Sequence, residues 1–277
     1  MRLTREVLPL PRAVEANVEI VAIGDIHGRT DLLDALLEHA AAEPVEGDAR
    51  RLVFLGDLVD RGPDSLGAIR LATQAGERIG AAETVALFGN HEILMRMALD
   101  PENPPKAGAA ALGVWLGNGG AAVIEQLLGG EFVASEPRGL LAALRAAAPD
   151  WTMDWLAKLR ASALSGGVLF VHAGVNPNLP LQDVLAQPWD EPLERVDEDA
   201  HWAWVRAPFL DHRPGKRGFS GCFVVHGHTP LDRGHTRGHA EQAARFRLNL
   251  DGGSAVTGQA KLAFLRGGVA EIVTARA

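Results

Sequence analysis

Two kinds of apolar pattern alternate along the first third of the chain. "VEIVAIG" (18–24), "RLVFLG" (51–56) and "ETVALFG" (83–89) are short continuous runs, the pattern of strands buried on both faces. Between them, "TDLLDALLEHAA" (30–41) and "DSLGAIRLATQAG" (64–76) carry apolar residues at helical spacing, the first opened by Thr30 and the second ended by glycine. "EILMRMAL" (92–99) continues the series as a helix. Strand and helix in repetition predict a parallel sheet.

From about residue 100 to about 162 the pattern changes. "PENPPKAGAAALGVWLGNGGAAVIEQLLGG" and "APDWTMDWLAKLRAS" are helical with glycine interruptions and predict a helical insertion or cap. "GGVLFVHAG" (166–174) and "GCFVVHGHTP" (221–230) return to strands, and the tail from Ala244 reads as short antiparallel strands joined by glycine-rich turns.

Composition narrows the classes. A chain of 277 residues, 47% of them hydrophobic, suffices for one large domain or two small ones, and one main core is expected. The net charge of −8 argues against a nonspecific nucleic-acid binder, which shows a basic face to the phosphate backbone. No apolar run approaches membrane-spanning length, and Glu6 and two prolines precede the first apolar strand, so neither a membrane partner nor a signal peptide is expected. The expected setting is the cytoplasm. Cys222 is the only cysteine, which removes an internal disulfide and a thiolate zinc cluster. No arginine follows it before Arg233, against a thiol phosphatase, so Cys222 is read as a small buried strand residue.

Polar residues gather where the strands stop. Asp25 and His27 follow the first strand, Asp57, Asp60 and Arg61 the second, and Asn90 and His91 the third; His172 follows the fourth, and His226 and His228 end the fifth. Taken singly, each has a plain explanation: an aspartate before a helix caps it, and a histidine at a strand end is a hydrogen-bonding residue. Together they occupy the strand ends where α/β sheets bind ligands. Carboxylates, an amide and imidazoles without thiolates suit a pair of divalent ions such as manganese, iron or zinc. Two such ions can share a hydroxide and neutralise an in-line phosphoryl transition state, while the planar fork of Arg61 grips phosphate oxygens.

The ordered motifs "GDIHG", "GDLVDRG", "GNHE", "HAG" and "GHT", spread over residues 24–229, resemble those of the calcineurin-like metallophosphoesterases, and more narrowly their phosphoprotein phosphatase group. The resemblance implies an α/β fold: a four-layer α/β/β/α β-sandwich flanked by helices, as one domain over 1–277 with the insertion at about 100–162. It implies that Asp25 and His27 bind one metal ion, that Asp57 bridges, and that Asn90, His172 and His228 bind the second, with His226 as support or plain structure. His91 would be the general acid oriented by Asp60, and Arg61, Asn90 and Arg206 would contact the phosphate. For Arg206, covering an aromatic surface is an equal reading.

Two divalent ions, manganese first, and a phosphorylated substrate, a phosphoprotein or a small phosphate ester, are therefore expected. The chain departs from the group at "LNLDGG", where Gly252 replaces a common threonine, so no role is assigned to Asp251. Asp60 and Glu92 follow the protein phosphatase pattern, whereas diadenosine tetraphosphate hydrolases of the same fold carry "GDLVARG" and "GNHD". A phosphomonoesterase is expected first, that hydrolase second, and a metal-binding scaffold third.

Overall fold

The computed structural model describes residues 1–130, 137–230 and 238–277. Arg233 and a short part of the 100–162 stretch lie outside the described residues.

The first apolar runs form β2 (Val18–Ile23), β3 (Ala49–Phe54) and β4 (Glu83–Ala86), parallel to one another and joined by α1 (Thr30–Ala42) and α2 (Ser65–Arg78). β1 (Arg2–Pro9), β9 (Gln259–Arg266) and β10 (Val269–Arg276) complete a six-stranded sheet in the order β1-β10-β9-β2-β3-β4, with β9 antiparallel to β2. A second sheet has the order β5-β6-β7-β8, built from β5 (Ser162–Ser165), β6 (Val168–Val171), β7 (Phe223–His226) and β8 (Arg247–Asn249). The parallel sheet expected from the strand–helix repeat is the β2-β3-β4 part of the first of two mixed sheets. The strand runs of the two halves look alike in sequence because each is buried on both sides.

Alternation within β2 shows how the layers stack. Ile20 and Ala22 join Val53, Val85, Phe170, Phe223 and Val225 in a core between the sheets. Val21 and Ile23 face the other way, into a core with Leu33, Leu36 and Leu37 of α1. Helices cover both outer faces, so the architecture is the four-layer α/β/β/α sandwich.

Between α3 (Asn90–Leu99) and β5 the described residues form α4 (Pro105–Gly117), α5 (Ala121–Leu128), α6 (Pro137–Ala147) and α7 (Asp150–Leu156). Ala111, Leu112 and Trp115 of α4 and Val123 and Ile124 of α5 are buried in the same core as α3. Among the described residues no single helix is long and apolar enough to cross a membrane. α8 (Leu181–Leu185), α9 (Ala207–Leu210), α10 (His239–Ala244) and α11 (Ser254–Thr257) are short connections.

Several local expectations are corrected. Arg29 precedes α1 and Thr30 is already its first residue, without a side-chain cap. α2 runs through Gly76 to Arg78; a Cβ at Gly76 would meet Thr84 Oγ1 at 2.3 Å, so the glycine serves the close approach to β4. Cys222 is only half-buried and precedes β7, where burial raises its pKa.

Candidate active site

The ends of β2, β3, β4, β6 and β7 converge, although they belong to two sheets. Asp57 lies at the centre. Its Oδ1 is 3.3 Å from His172 Nε2, and its Oδ2 is 3.7 Å from His27 Nε2 and 3.9 Å from His91 Nε2. Two sets of side chains place one ligand atom each within 4.8 Å of the others: His27, Asp57 and His91, and Asp57, His172 and His228. Asn90 Oδ1 sits inside the second set, 3.3 Å from His172 Nε2 and 3.0 Å from His228 Nδ1.

The first set contains His91 where the motifs point to Asp25. Arg61 is the physical reason, for its guanidinium donates to His27 Nε2 and His91 Nε2, both at 2.8 Å, and draws the two rings together. Asp25 stands beside them, its Oδ2 accepting from the amide of His228 at 3.0 Å while its buried Oδ1 has no partner.

Outer hydrogen bonds fix the imidazole tautomers. The Nδ1 atoms of His27 and His172 lie 2.8 Å from the carbonyl oxygens of Val59 and Leu55, and His91 Nδ1 lies 2.6 Å from Asp60 Oδ2. With the Nδ1 proton held on those oxygens, the Nε2 lone pairs of His27 and His91 accept from Arg61, while His172 Nε2 points at the Asp57 and Asn90 oxygens and carries a proton there, the place a metal ion would take.

This donor set fits divalent metal ions. Asp25 Oδ1 and His228 Nε2 are buried polar atoms without a hydrogen-bond partner. Burial, reinforced by Asp251 and Asp57, pushes the Asp25 carboxyl well above the usual carboxylate range, the mark of excess negative charge that a cation would neutralise. Burial disfavours charge on His172, but Asp57 and other carboxylates outweigh it and raise that imidazole to about 9. A cation between Asp57 and His172 would take the place of that proton.

Burial, with His91 and Arg61 adding to it, lowers His27 to about 3. Burial likewise lowers His91 to about 4, against the pull of Asp57 and with help from Arg61. Both rings are therefore neutral at pH 7, as acceptors of the Arg61 fork must be.

The backbone is bent to build this cluster. Among the described residues, the non-glycine positions at positive φ include His27 (48°), Asp57 (53°), Asp60 (73°), Arg61 (67°) and His228 (69°). Such conformations cost about 1–3 kcal/mol each and persist where the surroundings over-determine them.

Glu92 supplies much of that restraint. Fully buried in the first turn of α3, its carboxylate accepts from the amides of Asp57, Leu58 and Gly89 at 2.8–2.9 Å. Gly89 allows the approach, since a Cβ there would lie 2.0 Å from Asp57 Oδ1.

A cleft of about 260 Å³ opens over the cluster, lined by His27, Arg61, Arg206, His228 and Asp251, with Pro230, Ala255 and Val256 as an apolar wall. Arg206 reaches this cleft from the start of α9. The segment is anchored from beneath by buried Arg247 of β8, which donates to the carbonyls of Phe209, Leu210 and His212. His226 lies below the cleft, its ring edge-on to Phe209 and its Nδ1 3.0 Å from Gly227 O, a supporting place.

Two site residues escape the sequence patterns. Asp251, held by the amide of Gly253 at 2.7 Å and raised to about 6 by burial, lines the cleft despite the departure at Gly252. Trp115 donates its indole N–H to Asp60 at 2.8 Å from a helix that carries none of the motifs. Asp251 stands at a strand end like the other acids, a signal that could have found it; Trp115 offers none.

The calcineurin-like phosphoesterase family model matches residues 18–258, and the chain belongs to that family. It is 30% identical over 204 residues to the symmetrical bis(5'-nucleosyl)-tetraphosphatase of Ralstonia nicotianae, covering 73% of this chain and 57% of that protein. To serine/threonine-protein phosphatase 1 of Salmonella typhimurium it is 37% identical over 98 residues, 35% of this chain and 37% of that one. This chain thus spans little more than half of the first relative's length and less of the second's. Among solved structures, the cold-active protein-tyrosine phosphatase of a psychrophilic Shewanella species superposes with a TM-score of 0.55 at 17% identity, over 92% of this chain and 79% of that one, a likeness of fold.

Proposed function

We propose that the chain is a metal-dependent phosphomonoesterase of the serine/threonine protein phosphatase type. One observation carries this reading over its nearest competitor: the 2.6 Å contact between His91 Nδ1 and Asp60 Oδ2 beside the Arg61 fork. A serine alkoxide is a poor leaving group and needs a proton. A nucleoside polyphosphate leaves as a stabilised anion and does not. An oriented imidazole, its Nε2 on Arg61 at 2.8 Å where Arg61 lines the cleft, answers the first need.

In this reading Asp25, His27 and Asp57 hold one divalent ion and Asp57, Asn90, His172 and His228 the other. Manganese is the proposed metal, with iron and zinc compatible with the same donors. When bound, the ions polarise the phosphoryl group and lower the pKa of a water.

The chain's own residues do the rest. Arg61 and Arg206 grip the phosphate oxygens, with Asn90 close by, and Arg61 exchanges its imidazole partners for phosphate as the substrate enters. That frees His91 Nε2 and brings in negative charge, which favours the protonated ring. Asp60 holds Nδ1–H, so the proton on Nε2 points to the departing oxygen. The setting we propose is the cytoplasm, and the insertion at about 100–162 is proposed to overhang the cleft of a single domain.

The broader similarity to the bis(5'-nucleosyl)-tetraphosphatase supports a second reading, a dinucleoside polyphosphate hydrolase. A substrate panel separates the two. Manganese-loaded protein should hydrolyse phosphoserine peptides and small phosphomonoesters with higher kcat/KM than diadenosine tetraphosphate; the reverse ranking would establish the second reading.

A further inference from the structure

The helices between α3 and β5 hold none of the motif residues, yet one of their buried polar atoms touches the acid pair. Trp115 is fully buried, and its Nε1–H lies 2.8 Å from both Oδ1 and Oδ2 of Asp60. Among the described residues the indole and His91 are the side-chain partners of this carboxylate, and Ser65 Oγ accepts from the Asp60 amide at 2.9 Å.

Just beyond α4 the chain turns under Arg61. Asn118 O accepts from Arg61 Nε at 3.3 Å and Gly119 O from the Arg61 amide at 3.1 Å. A Cβ at Gly119, whose φ is +105°, would meet Arg61 Cγ at 2.7 Å. Gly120 closes against the indole, where a Cβ would lie 2.6 Å from Trp115 Nε1. The stretch "WLGNGG" therefore touches both members of the strained Asp60–Arg61 pair at once.

We propose that Trp115, with the turn at Asn118 and Gly119, is a positioning element for the reaction. The indole acts through Asp60 to set the imidazole of His91, and the two carbonyls set the guanidinium of Arg61. This rests on His91 as the general acid. A carboxylate held by the indole on both oxygens and by His91 on Oδ2 cannot swing about its Cβ–Cγ bond without losing one of these contacts. Without the indole N–H, Asp60 turns toward His91 alone and the aim of Nε2 toward the leaving oxygen is lost. The insertion then has a share in the chemistry, beyond any choice of substrate.

Trp115→Phe keeps an apolar ring and removes the donor. The expected result is a fall of about tenfold in kcat for a phosphoserine peptide, in line with the loss of one hydrogen bond to a charged group. KM and bound metal should stay within twofold, and p-nitrophenyl phosphate, whose leaving group needs little help, should lose less than threefold. In an Asp60→Asn background the same change should cost less than a further twofold, because the partner it acts through is gone. Benzothienylalanine at position 115, which keeps the bicyclic shape and lacks the N–H, repeats the test without a cavity. Equal losses for the two substrates, or full additivity with Asp60→Asn, would overturn the proposal in favour of plain packing. His91→Asn measured alongside separates the two claims: a change in the substrate ratio there and none with the Trp115 variants removes the positioning role alone, and no change in either removes both.

Discussion

Asp57→Asn should lower phosphate ester hydrolysis by about 10³-fold and strip metal from both sets of ligands. The two carboxylate oxygens of Asp57 face different partners, Oδ1 toward His172 and Oδ2 toward His27 and His91. Asparagine preserves the shape but turns one oxygen into a donor, which repels a cation. Charge stabilisation by bound metal contributes several kcal/mol to phosphoryl transfer, and roughly 4 kcal/mol is about 10³-fold in rate. His27→Ala should cost less, since it disturbs one set only. Metal analysis and steady-state rates on folded protein check the prediction, and near-normal metal content and rate in Asp57→Asn would remove it as the shared ligand.

His91→Asn should slow a phosphoserine peptide by about 10²–10⁴-fold, the range for general acid catalysis. p-Nitrophenyl phosphate should suffer less, because p-nitrophenolate departs without a proton. Metal content should stay near that of the wild type, since the residues proposed as ligands are untouched. The site makes this variant informative: the ring is fully buried, bonded to Asp60 on one nitrogen and to Arg61 on the other. Equal losses for both substrates would recast His91 as a residue that positions Arg61.

Much of this site was legible in the chain because its residues sit where apolar runs end. Val18–Ile23, Ala49–Phe54 and Phe223–His226 are strands for the reason their composition suggests, and each delivers its polar neighbours to the same edge. The assignment to two sheets was hidden, since a strand buried on both faces reads alike in either. β1 left no trace in the pattern: nearly all of it is exposed, and only its pairing with β10 makes it a strand.

The parts played by Glu92, named only as a motif letter, and by Trp115 stay hidden in the chain for one cause. Glu92 looks like an ordinary acid in the first turn of a helix, a position that the helix dipole already favours. Its work on the amides of Asp57 and Leu58 depends on a tertiary approach through Gly89. Trp115 looks like a core residue at helical spacing, which it also is. What makes it part of the site is the direction of a single N–H, and no periodicity encodes that.

The most direct test of the account is a manganese titration of chelator-treated wild-type protein, with bound metal and p-nitrophenyl phosphate hydrolysis followed in the same samples. The account predicts two ions bound per chain, hydrolysis that is lost on chelation and returns as the sites fill, and no such return in Asp57→Asn. Full hydrolysis by protein verified to be free of metal would contradict it.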